Sequence, residues 1–102
     1  MDPIQVDHRS GTTHVVLDVT VGISEARVLH EALGNLLPQQ TSIVFHADRL
    51  ERIDTAAMQV LASFCRTARQ RRLALTWEAP SASLRAAVNL LGLESAFGLP
   101  HE

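Results

Sequence analysis

From Ser42 to Gln70 the chain reads SIVFHADRLERIDTAAMQVLASFCRTARQ, and this stretch decides the fold. Ile43, Val44 and Phe45 form a nearly continuous apolar run between Ser42 and His46. A short run of that kind predicts a buried central strand. The segment from Ala47 to Arg52 is polar, broken only by Leu50. Asp54 and Thr55 then precede a strong helical pattern. Ala57, Val60, Leu61, Phe64 and Ala68 recur at i, i+3, i+4, i+7 and i+11, one apolar stripe of an amphipathic helix. Arg66, Arg69, Arg71 and Arg72 put cations at its C-terminal end, where the helix dipole is negative.

Outward from this strand and helix, the same signals repeat. Ile4 to His8 alternates weakly and predicts a short first strand, and Ser10-Gly11 reads as a turn. His14 to Val19 is a β-branched run and predicts a second strand. Ser24 is a good N-cap, with Glu25 in the first turn; Ala26, Leu29, Leu33, Leu36 and Leu37 follow at helical spacing, and Pro38 ends that helix. Downstream, Leu73, Leu75 and Trp77 alternate with Ala74, Thr76 and Glu78, a further strand with Trp77 in the core. Pro80-Ser81 opens a third helix with Leu84, Ala87, Val88 and Leu91 inward, and Gly92-Leu93 is a left-handed stop with its hydrophobic contact. Phe97 and Leu99 are expected only to cover the core edge. The order is β-β-α-β-α-β-α. It predicts an α/β fold: a mixed, mostly parallel sheet with right-handed crossovers, an antiparallel edge from the opening hairpin, and helices packed mainly on one face.

Composition narrows the function. The 102 residues suit one domain over 1–102, and 46% hydrophobic with 20% charged residues fits a globular chain. The net charge is −2, the nine basic residues are all Arg, and aromatics make up 4%, so the footprint of a nucleic-acid binder is missing. No apolar run approaches the roughly 20 residues that span a bilayer. Met1-Asp2-Pro3-Ile4 does not read as a signal peptide, so a cytoplasmic location is expected. The five glycines are isolated, which leaves no phosphate loop or dinucleotide fingerprint, and no cofactor is expected. No two histidines stand at i, i+4 and no Cys–His cluster exists, so no transition-metal site is expected. Cys65 has no partner for an intrachain disulfide.

The candidate site is the loop from Arg49 to Ala57, at the carboxyl end of the central strand, where open α/β sheets place function. Asp54 is placed to cap the free N–H groups of the helix, and Thr55 carries a hydroxyl at the same positive end. A phosphate there would add about −1.5 to −2 charges, favoured by the dipole and opposed by Asp54 and Glu51. Plain capping is the competing reading of the Asp-Thr pair. Met58, Ala62 and Cys65 form a second stripe, either a docking surface or the flank of the core.

The run Ile53-Asp54-Thr55-Ala56-Ala57, after the strand Ile43 to His46, resembles STAS domains (sulfate transporter and anti-sigma factor antagonist), and the likeness extends over residues 13–99. The resemblance implies a non-enzymatic protein-binding domain. It places the phosphoacceptor on Thr55 and the preceding acid on Asp54, with partner contacts at Arg49, Arg52, Asp54, Thr55, Met58 and Gln59. The chain departs from the family in three places. Ala57 stands where a Gly is frequent, Gly22 where an Asp precedes the first helix, and His46 where an acid or Asn ends the central strand. Little chain follows Leu93, so the family's last strand and helix look truncated. Two branches are similar. One is the single-domain STAS proteins of bacterial chemotaxis and signalling systems, through Leu50 to Gln59. The other is the STAS subunit of a phospholipid ABC transporter, through the Asp-Thr-Ala motif with Arg49 and Arg52. The partners implied are a serine/threonine kinase-like anti-sigma factor, a signalling histidine-kinase system, or a transporter ATPase.

Overall fold

The computed structural model describes residues 4–100. Two sheets and four α-helices form it. The main sheet has the order β1-β2-β4-β6, from β1 (Ile4–Arg9), β2 (Thr12–Leu17), β4 (Ser42–His46) and β6 (Leu75–Glu78). The opening hairpin is antiparallel, Arg9 opposite Thr12, and the other two pairings are parallel, as expected. Two two-residue strands, β3 (Thr20–Val21) and β5 (Arg52–Ile53), pair in parallel as a separate small sheet. The sequence signal missed both, because two residues carry no periodicity.

The strands follow a period of two. In β2, Thr13, Val15 and Leu17 are buried, whereas Thr12, His14 and Val16 keep partial exposure on the other face. Ile43 and Phe45 of β4 and Trp77 of β6 continue the buried face. Thr13, the one buried polar residue among those described, is bonded on both sides: its hydroxyl lies 3.0 Å from His8 Nδ1 and 2.7 Å from Thr41 Oγ1. Burial without such partners would be costly.

The helices are α1 (Ile23–Gly34), α2 (Thr55–Gln70), α3 (Ala82–Leu90) and the short α4 (Glu94–Phe97). Ala26, Leu29 and Leu33 of α1 and Ala57, Leu61, Phe64 and Ala68 of α2 are buried together with the inner face of the sheet. Met58, Ala62 and Cys65 are buried as well, so the second stripe is the flank of the core and not a docking surface. Val60, expected in the first stripe, is only partly buried.

Several element ends differ from expectation. The N-cap of α1 is Gly22, not Ser24; Glu25 folds back so that its Oε1 accepts from Gly22 N–H at 3.2 Å. The helix ends at Gly34, and Pro38 sits in a separate 3₁₀ turn, Leu37–Gln39. Leu73 lies outside β6: Arg72, at φ 60°, turns the chain first. Ser81 caps α3 as expected, its Oγ accepting from Leu84 N–H at 3.1 Å. Gly92 (φ 67°) and Leu93 N–H on Val88 O at 2.9 Å close α3 in the left-handed stop.

The largest correction concerns the C-terminal residues. Phe97 does not cover the core edge; it is fully buried. Its ring stacks on Trp77 at 5.4 Å, Trp77 stacks on Phe45 at 4.3 Å, and Phe45 meets Phe64 edge-on at 6.0 Å. The α4 turn that delivers Phe97 is held by Arg69 of α2, whose guanidinium donates to the carbonyls of Ser95, Ala96 and Phe97.

Candidate protein-binding site

The site segment is fastened to the chain that enters α1. Glu51 and Arg52 N–H both donate to Val19 O, at 2.8 and 3.0 Å, and Asp54 N–H donates to Val21 O at 2.9 Å. These bonds extend the Thr20–Arg52 and Val21–Ile53 pairing. They bring the start of α2 beside the start of α1. An open cleft of about 260 Å³ lies between them, lined by Thr20, Val21, Gly22, Arg52, Ile53 and Asp54.

Asp54 does what its position predicts. It is extended (φ −77°, ψ 151°), and its Oδ1 accepts from Ala56 N–H at 2.8 Å. Thr55 is the first helical residue and is exposed. Asp54, not Thr55, performs the capping, which leaves the Thr55 hydroxyl outside that arrangement. Gln59, one turn further on, is exposed on the same side of the helix. Arg49 and Arg52 are exposed at the near end of the loop. Arg49 lies 3.6 Å from Asp18 Oδ1, at the end of β2, and Asp18 also accepts from Val19 N–H at 2.8 Å.

Met58 is the exception among the residues read as partner contacts. It is only 1% exposed and supports the site from the core. Two features escaped the sequence reading. Ile23, first residue of α1 and next to Gly22 of the cleft, is 70% exposed, an apolar side chain left at the site's rim. The signal was there in an apolar residue between Gly22 and Ser24, outside the buried stripe of α1. The second is the bond between His46 and His14 on the far face of the sheet.

Cys65 takes no part in the site. Burial pushes its thiol up to about 12, against the opposing pull of Arg69 and Arg66. A thiol held protonated and buried is a small core residue and a poor nucleophile.

The family model described as Mlab, STAS domain matches residues 4–100. The chain belongs to the STAS domain family. Solved STAS-like structures superpose on it closely at low identity. An anti-sigma factor antagonist from Mycobacterium paratuberculosis has a TM-score of 0.75 at 18% identity, over 97% of this chain and 85% of that one. The Bacillus cell fate determinant SpoIIAA, in its phosphorylated form, has 0.73 at 15%, over 90% and 86%. A sulfate transporter family protein from Wolinella succinogenes has 0.72 at 21%, over 88% and 74%. At these identities the likeness concerns the fold. No curated protein sequence matches the chain. Among the described residues, no helix of this STAS domain is long and apolar enough to cross a membrane.

Proposed function

We propose that this STAS domain is a non-enzymatic regulator that binds a protein partner in the cytoplasm, with phosphorylation of Thr55 switching that binding. The observation that carries the reading is the exposure of Thr55 at the positive end of α2, with Asp54 already serving as the cap. A phosphate there adds charge at a surface without disturbing a buried contact. Glu51 and Asp54 oppose it; the dipole, Arg49 and Arg52 favour it. The docking surface comprises Arg49, Arg52, Asp54, Thr55 and Gln59, with exposed Ile23 as its apolar anchor. The partner class is a serine/threonine kinase-like anti-sigma factor or a signalling kinase system.

A second reading rests on the family description, which names Mlab: the domain is the STAS subunit of a phospholipid ABC transporter and binds its ATPase. Thr55 then makes a constitutive contact and needs no phosphate.

An affinity capture from native cytosol and membrane extract, with wild type and Thr55→Glu side by side, separates the two. Under the switch reading, wild type captures a kinase or signalling protein and Thr55→Glu loses most of it. Capture of a transporter ATPase moves the assignment to the second reading. Equal capture of one signalling partner by both baits sinks the switch.

A further inference from the structure

The family site leaves one cluster unused. His14 of β2 and His46 of β4 both lie on the sheet face opposite the buried core. His14 Nδ1 and His46 Nε2 are 2.9 Å apart, the ring centroids are 5.2 Å apart, and the planes differ by 21°. The two rings lie nearly edge to edge along the bond, so one N–H points at the lone pair of the other ring. We propose that His14 and His46 form a binding site for a divalent transition-metal ion on the open face of the sheet.

Three observations carry this. First, the spacing fits: metal–imidazole bonds of about 2.0–2.1 Å put two ligands in adjacent positions about 3 Å apart. The two nitrogens already stand at that separation across one N–H···N bond, on two paired strands, and the ion would take the place of the shared proton. Second, both rings are partly exposed on a face whose other residues are also partly or fully exposed, so an ion can reach them from solvent. Third, the surroundings are acidic. Asp7 is the cross-strand neighbour of His14, and Glu78 that of His46. Arg9, bonded to Asp7 at 2.8 Å, offsets one of the two carboxylates.

Among the described residues, no group of three His, Cys, Asp or Glu side chains completes a metal cage. The two imidazoles are therefore the protein's donors, and water fills the other positions. The carboxylates act through charge. Two imidazoles with open positions suit Cu²⁺ best of the common divalent ions and Zn²⁺ less well. On binding, the proton between the rings is displaced. With both rings neutral it moves to the other nitrogen of its own ring, and none is released; with one ring charged, one proton leaves to solvent.

The test is calorimetric titration of the intact chain with CuCl₂ and then ZnCl₂ in a non-coordinating buffer. The expected result is one Cu²⁺ per chain, weaker Zn²⁺, and a loss of about tenfold or more in each of His14→Gln and His46→Gln. His30→Gln, on α1, binds as wild type does. Amide NMR of the wild type needs no variant: substoichiometric Cu²⁺ should broaden signals around residues 14 and 46 first. Absence of Cu²⁺ binding up to about 1 mM overturns the proposal. So does unchanged affinity in both Gln variants, or broadening centred on His8 or His30.

Discussion

Asp54 and Thr55 sit next to each other at the start of α2 and have different jobs. Asp54 satisfies a free backbone N–H, and Thr55 is exposed beside it. Asp54→Ala should cost about 1 kcal/mol of stability, the usual cost of losing an N-cap. Thr55→Ala should stay within about 0.5 kcal/mol of wild type. Urea melts of both variants check the pair, and a larger loss for Thr55→Ala would return Thr55 to a structural role. Cys65 makes a prediction of the opposite kind. Burial raises its pKa from the ordinary thiol range to about 12, so the fold favours the protonated thiol. Its contribution is complete below the unfolded value and is lost as pH rises through the interval up to about 12. Stability should therefore fall between about pH 8 and pH 10.5 more steeply in wild type than in Cys65→Ala, as measured by denaturant midpoints. The cap was legible in the sequence because capping is a local bond between Asp54 and a residue two positions on. The burial of Met58 and Cys65 was not, since a helix carries two apolar stripes here and only neighbouring elements decide how many are covered.

At the scale of elements, the fastening of α4 is the feature with the clearest consequence. One guanidinium, Arg69, donates to three successive carbonyls at the end of a four-residue helix. Those carbonyls have no partners further along the helix. Arg69→Ala should cost about 2 kcal/mol, in the range of hydrogen bonds from a charged donor. Gly98→Ala should also destabilise, because Gly98 has φ 63° and a Cβ there would collide with the Arg69 guanidinium. A thermal melt of each variant reads both effects. The four arginines near the end of α2 looked alike in sequence, all cations at a negative helix end. Only the packing of α4 against α2 singles out Arg69. The start of α1 shows the same limit. Ser24 is the better cap by residue preference, but the pairing of β3 with β5 fixes where the helix can begin, and the Glu25 carboxylate accepts from Gly22 N–H there.

Across the whole molecule, the rings of Phe64, Phe45, Trp77 and Phe97 link α2, strands β4 and β6, and α4 into one packed column. A domain of this size holds a margin of about 5–15 kcal/mol. Phe97→Ala should remove about 3–5 kcal/mol of it and leave α4 without its main anchor. Chemical denaturation gives the value; a loss below about 1 kcal/mol would mean that Phe97 is an edge residue after all.

Much of this protein followed from the sequence alone. Hydrophobic periodicity is a local quantity, so β1, β2, β4, β6 and the three long helices were readable, and their alternation implied the mostly parallel sheet. The Asp-Thr pair at the head of α2 was readable for the same reason. The tertiary structure decided what depends on residues far apart in the chain. It zipped Val19–Val21 along residues 51–54 and so set the two helix starts side by side. It brought Phe97 into the aromatic column and Arg69 onto the last helix. It also set His14 against His46, 32 positions apart, on a diagonal between two paired strands. Pairing register creates such contacts, and no spacing within a single segment encodes them.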